Sequence, residues 1–159
     1  MEIDFINVGI ADCKIAEAPD ILRTVLGSCV GICIYDSQKK IGGLSHIMLP
    51  DKKRDSASYL KYANTAIPFM LEEMEKLGSK KENMVAKIVG GATMFKLNGT
   101  SIMSEIGRNN ITRVREILGE IRVNIVAEDV GGDYGRTVDF YTDSGEVKIR
   151  SMEHEEIII

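Results

Sequence analysis

The sequence predicts one mixed α/β domain over residues 1–159, with strands outnumbering helices and two main helices covering mixed or largely antiparallel sheet. Three observations carry that expectation. The chain has 159 residues, enough for a single core and too few for two sizeable ones. Its composition, 44% hydrophobic and 28% charged, is that of a globular protein and argues against disorder. Short apolar runs of period two recur along it, and only two segments change to the three- and four-residue steps of a helix.

Residues 3–10 alternate in part and suggest an opening strand, which residues 11–15 continue or follow with a neighbour. Pro19-Asp20 punctuates the chain, and Ile21–Leu26 is apolar enough for a strand that runs into the small corner Gly27-Ser28-Cys29. Residues 30–35 alternate, with Val30, Ile32 and Ile34 on one face and Gly31, Cys33 and Tyr35 on the other. The polar stretch 36–40 separates them from a second apolar run, Ile41-Gly42-Gly43-Leu44-Ser45-His46-Ile47-Met48-Leu49-Pro50, so the two runs read as an antiparallel hairpin. After a polar loop over 51–58, Tyr59, Tyr62, Ala63, Ala66, Ile67, Met70, Leu71, Met74 and Leu77 mark an amphipathic helix closed by Gly78, with Pro68 predicted to kink it or remove one hydrogen bond. Residues 84–89 read as a buried strand ending at Gly90-Gly91-Ala92. A second helix is expected over 104–118 with Gly119 near its end, then a strand over 122–130. Arg136–Tyr141 and residues 146–150 form a second hairpin, and residues 154–159 are an edge strand or a frayed end.

Several function classes are disfavoured at this level. The formal net charge of −4 is the wrong sign for a phosphate-binding surface, and Lys52-Lys53-Arg54 and Lys80-Lys81 are short enough to be solvated loops, so no nucleic-acid partner is expected. No stretch approaches the roughly 20 apolar residues of a membrane span, and Met1-Glu2-Ile3-Asp4 lacks a basic-then-apolar leader pattern. The expectation is a cytoplasmic protein that is not inserted in a membrane. Cys13, Cys29 and Cys33 are an odd set with no C-x-x-C spacing, which argues against disulfides and, with His46 and His154, against a metal centre. Residues 90–95 lack the spacing of a phosphate loop, and residues 129–136 lack the Glu of a calcium loop, so no cofactor is expected. The 129–136 stretch reads as a tight turn with a functional rim.

The remaining chemistry gathers on the first hairpin. Cys29 follows a Gly-Ser pair that permits a sharp turn, presents a thiol and leaves nearby N–H groups free for an oxyanion. The hairpin brings His46 back towards it, making a thiol–imidazole pair the functional expectation. A catalytic Cys29 is expected to react with iodoacetamide faster than Cys13 or Cys33, with a midpoint well below that of a free thiol. Against this stands the plain alternative that Cys29 is a small core residue and His46 a satisfied structural one. A third group to orient the imidazole is sought among Thr24, Ser28 and Ser45. Cys33 reads as core packing and Cys13 as incidental. Gly90 and Gly91 suggest close approach of another backbone or of a substrate chain. Arg108-Asn109-Asn110 reads as a helix-start cap, with a polar site cluster as the alternative.

Leu26-Gly27-Ser28-Cys29-Val30, the run 41–50, Lys87-Ile88-Val89-Gly90-Gly91-Ala92-Thr93-Met94-Phe95, Ile106-Gly107-Arg108-Asn109-Asn110 and Asp129-Val130-Gly131-Gly132 together resemble the CheD family of chemoreceptor glutamine deamidases, from about residue 6 to about residue 150. The resemblance implies a three-layer α/β sandwich like that of the cytotoxic necrotizing factor catalytic domain. It implies a thiol mechanism with Cys29 as nucleophile, His46 as base and Thr24 as third member. Gly27, Ser28, Ser45, Gly90 and Gly91 are then the expected substrate-binding positions, in a groove shallow enough for a receptor helix. Family members also bind the phosphatase CheC, and the same site suits a glutamyl methyl ester. The rival expectation is a non-catalytic chemotaxis adaptor that holds CheC or receptor helices.

Overall fold

Two five-stranded sheets and two helices stack as three layers in the computed structural model, which describes residues 2–53, 58–94 and 105–159. The elements run β1 (Phe5–Asn7), β2 (Asp12–Glu17), β3 (Ile21–Leu26), β4 (Val30–Asp36), β5 (Ile41–Ile47), α1 (Ala63–Lys76), β6 (Met84–Gly90), α2 (Ile106–Glu120), β7 (Asn124–Val130), β8 (Arg136–Tyr141), β9 (Val147–Ser151) and β10 (His154–Ile158). The outer sheet has the order β1-β3-β8-β9-β10 and the middle sheet β2-β5-β4-β6-β7. Within them β1–β3 and β6–β7 pair parallel and the other neighbours antiparallel.

The period-two pattern of β4 explains the layering. Val30, Ile32 and Ile34 pack with Ala66, Ile67, Met70 and Met74 of α1 and with Val114 and Leu118 of α2. Cys33 and Tyr35 face the other way, joining Leu22, Leu26, Leu44, Val138 and Phe140 between the sheets. Every residue of β4 and β5 is therefore buried. Each fully buried Ile or Val stabilises the stack by about 1.5–3 kcal/mol, so a charge at Ile32 would break it. Gly42 and Gly43 serve the two interfaces in turn. A Cβ at Gly42 would stand 2.9 Å from the Phe140 ring of the outer sheet, and one at Gly43 2.9 Å from Met70 of α1.

Several element limits differ from the sequence expectation. The opening strand is only Phe5–Asn7, and Asp12–Glu17 is a separate strand of the other sheet. The first helix begins at Ala63, because Tyr62 is held extended beside Leu49 and Met48 N–H donates to Lys61 O at 2.8 Å. It continues through Pro68. The second helix runs past Gly119 to Glu120. Arg122 then takes a left-handed φ of 61°, its N–H bonding Gly119 O while Val123 N–H bonds Leu118 O, and this close of the helix delays β7 to Asn124. The 154–159 segment is an edge strand on β9. Arg54, Phe95 and Ser104 lie outside the described residues.

Candidate active site

The chain changes sheets at Gly27-Ser28-Cys29, since β3 belongs to the outer sheet and β4 to the middle one. All three carbonyls of this corner are held. Ala92 N–H donates to Gly27 O at 3.0 Å, Gly91 N–H to Cys29 O at 2.9 Å, and the Asn110 side-chain amide to Ser28 O at 3.3 Å. The loop after β6 comes this close only because residue 90 is glycine. Its φ is +103°, and a Cβ there would lie 2.5 Å from Cys29 O. Of the two readings of Gly90 and Gly91, the backbone that passes close is this chain's own.

Opposite the corner, β5 presents His46, 2% exposed, across the gap between the sheets to Thr24 of β3, 3% exposed. Thr24 Oγ1 lies 2.7 Å from Val8 O and 2.7 Å from His46 Nδ1. A hydroxyl has one proton, and a carbonyl can only accept, so Thr24 donates to Val8 O and accepts from Nδ1–H. This hydrogen-bond logic assigns the tautomer: Nδ1 carries the hydrogen and Nε2 the lone pair. Nε2 is buried and has no hydrogen-bond partner among the described residues. Burial holds the imidazole below its ordinary 6.5, with the Val8 carbonyl pulling the other way.

Gly31 lies directly opposite His46 in the ladder, and antiparallel partners share a face. Cys29 precedes Gly31 by two residues and packs against the same inter-sheet cluster, so thiol and imidazole are in one layer. No hydrogen bond joins Cys29 Sγ to Nε2. Cys29 is partly exposed, and burial raises its pKa above the usual 9.0, opposed by its own backbone N–H. In this arrangement burial works against the expected depressed midpoint. Burial acts on the other two cysteines as well. Burial, reinforced by the Asp12 charge, pushes Cys13 up to about 12, and burial does the same to Cys33.

The other expected positions are placed differently. Ser45 pairs with Ile32, whose side chain packs among the helices, so its hydroxyl faces away from His46. Gly90 and Gly91 are buried, whereas Gly27 and Ser28 stay partly exposed beside Cys29. Arg23, next to Thr24, turns to the opposite face and donates to Asp139 Oδ1 at 2.5 Å. In the 129–136 turn, Arg136 is buried and pairs with Asp129 at 3.0 Å and Gly131 O at 2.9 Å, a structural clamp. One participant escapes the sequence reading, and another is placed there in a helix-start cap with a polar site cluster as the alternative. Val8 contributes only a carbonyl and leaves no side-chain signal. Asn110 is no cap, because α2 begins at Ile106. It is fully buried and its amide also donates to Met48 O at 2.9 Å. Its signal was position: a polar residue on the stripe Gly107, Ile111, Val114, Leu118.

Comparison with known proteins adds an independent line. Residues 48–151 match the family described as "CheD chemotactic sensory transduction". The chain is 49% identical over 155 residues to the "Probable chemoreceptor glutamine deamidase CheD" of Clostridium novyi, covering 96% of each chain. It is 48% identical, with the same coverage, to the protein of that description from Clostridium botulinum. Among solved structures, a Bacillus licheniformis hypothetical protein, YfiH, aligns with a TM-score of 0.49 and 14% identity over 74% of this chain and 49% of that one.

Proposed function

The chain belongs to the CheD family, and we propose that it is a protein-glutamine deamidase working as one unit over residues 1–159 in the cytoplasm on chemoreceptor helices. The observation that carries this reading is the Val8–Thr24–His46 relay, which leaves the Nε2 lone pair free in the layer that holds Cys29. An unpaired buried nitrogen costs about 1–3 kcal/mol, a cost that a proton-accepting role for Nε2 explains.

In the proposed reaction Nε2 takes the Cys29 proton as sulfur attacks the glutamine carboxamide carbon. The carbonyl oxygen becomes an oxyanion, held by N–H groups of the Gly27–Cys29 corner. The C–N bond breaks as Nε2–H protonates the departing amine, ammonia leaves, and a thioester remains. Water then gives a proton to Nε2 and attacks the thioester carbon. The C–S bond breaks, sulfur recovers the proton, and glutamate is released. Two neutral partners suit this sequence, since the proton moves only when the electrophile is in place.

A glutamyl methyl ester fits the same steps with methanol as leaving group, and we extend the proposal to it. CheC is the expected protein partner on family grounds. No helix among the described residues is long and apolar enough to cross a membrane. The test is mass spectrometry of a receptor cytoplasmic fragment co-expressed with the chain. The expected result is conversion of particular glutamines to glutamate, lost in Cys29→Ala. Unchanged conversion in Cys29→Ala overturns the thiol mechanism, and no conversion by the wild type favours the adaptor reading.

A further inference from the structure

We propose that Asn110 is a positioning residue that holds the Ser28–Cys29 peptide with its N–H on the thiol side, and so builds the oxyanion site of the proposed deamidase. The inference rests on that reading and deepens it. Asn110 sits one turn into α2, fully buried, with its side-chain amide between two carbonyls: Met48 O at 2.9 Å, two residues past His46, and Ser28 O at 3.3 Å, immediately before Cys29. Carbonyls accept only, so both contacts must come from the NH₂ end, which fixes the orientation of the amide.

Peptide geometry supplies the rest. Ala18-Pro19 is the cis bond of the described chain, so the Ser28–Cys29 peptide is trans and its N–H points opposite to its C=O. Drawing Ser28 O towards Asn110 therefore turns Cys29 N–H away from α2. Ala92 N–H, bonded to Gly27 O, turns Ser28 N–H away from the loop after β6. Among the described residues no backbone carbonyl accepts from Ser28 N–H or Cys29 N–H. Cys29 N–H and Cys29 Sγ belong to one residue, which keeps that donor close to the nucleophile. Two adjacent free donors, one of them on the cysteine itself, are what a tetrahedral oxyanion on that sulfur requires.

The helix is fixed for this task. Gly107, one turn before Asn110 on the same face, lies so close to Gly91 O and Ala92 O that a Cβ would come within 2.6 Å of both. Helix, glycine loop and corner thus form one packed unit, in which the Asn110 side chain reaches both the cysteine corner and the end of the histidine strand.

The test compares Asn110→Leu and Asn110→Asp with the wild type and Cys29→Ala, using ammonia release from a purified receptor fragment and alkylation of Cys29 by iodoacetamide. Alkylation needs an accessible thiol but creates no tetrahedral oxyanion, so it separates the two roles. The expected result is a kcat lowered about 10- to 100-fold in the folded Asn110 variants, below the ~10²–10³ that deleting a donor outright removes. KM and the Cys29 alkylation rate should stay within about threefold of the wild type. A kcat within threefold of wild type, or alkylation falling in parallel with turnover, overturns the inference while leaving the deamidase reading intact. A wild type that releases no ammonia, or a Cys29→Ala that still does, overturns the reading and the inference with it. Should the variants fail to fold, the wild type decides. A peptide carrying the aldehyde analogue of glutamine forms a hemithioacetal on Cys29, and the Ser28 and Cys29 amide protons should then move downfield; unmoved resonances overturn the proposal.

Discussion

Replacing Thr24 by valine keeps the shape of the side chain and removes its hydroxyl, which isolates what the Val8–Thr24–His46 relay contributes. Two contacts of 2.7 Å vanish at a residue 3% exposed. A buried polar group left unsatisfied costs about 1–3 kcal/mol. If both the Val8 carbonyl and the His46 Nδ1–H were stranded, the loss would be about 2–6 kcal/mol. The two groups converge on the same hydroxyl, so a small rotation of the ring can bring them together once it is gone. The expected destabilisation is therefore nearer about 1–3 kcal/mol, or several degrees in Tm for a chain of this size. That same rotation draws the ring towards Val8 and moves Nε2 from its place. We expect kcat for ammonia release to fall about 10- to 100-fold, equivalent to about 1.4–2.7 kcal/mol, with KM little changed and Thr24→Ser restoring most of the rate. A folded Thr24→Val chain with a kcat within threefold of wild type would show that the hydroxyl neither orients the base nor fixes its tautomer.

The remaining predictions use the same assays. The rate kcat/KM should have its acid limb below pH 6.5, because His46 must be neutral and burial lowers its pKa; its alkaline limb should lie above pH 9.0, where burial has moved Cys29. Since the folded pKa of His46 is depressed, the neutral ring's contribution to stability is complete above pH 6.5 and declines as pH falls from there, which acid titration of unfolding will register. Iodoacetamide should label Cys29 before Cys13 or Cys33, yet no thiolate absorbance should appear at Cys29 near neutral pH. Gly90→Ala should abolish activity and destabilise by about 2 kcal/mol or more, as its Cβ would lie 2.5 Å from Cys29 O at a φ of +103°. Gly119→Ala meets nothing within 4 Å and should raise stability by about 0.5–1 kcal/mol, with turnover unaffected.

What the sequence made legible was whatever rests on local pattern. The alternation in residues 30–35 announced β4 and the two sets of side chains it turns to opposite faces, and the polar stretch after it announced the hairpin, whose register then set Gly31 opposite His46. Periodicity found both helices but misplaced their ends, because the extended bridge at Tyr62 and the left-handed Arg122 are settled by backbone contacts that side-chain spacing does not encode. The assignment of strands to sheets was out of reach for a related reason. Residues 3–15 look like one amphipathic run, yet β1 pairs with β3 in one sheet and β2 with β5 in the other. Ser45 illustrates the cost of reasoning by proximity in sequence: it adjoins His46, and the pleat sends it to the opposite layer. Asn110 was visible as a polar residue on an apolar helical stripe, but only the fold reveals that the stripe at that point meets carbonyl oxygens as well as hydrocarbon.

The switch of sheets at Gly27-Ser28-Cys29 has a consequence for the life of the chain before it is fully formed. Sulfur hangs from the bridge between the two slabs, the ring rides on one of them, and the threonine that steadies the ring belongs to the other. A nascent or partly melted molecule, with its slabs apart, carries the same three groups but cannot bring them into register. On the proposed mechanism, competence therefore requires the two sheets to be docked on one another.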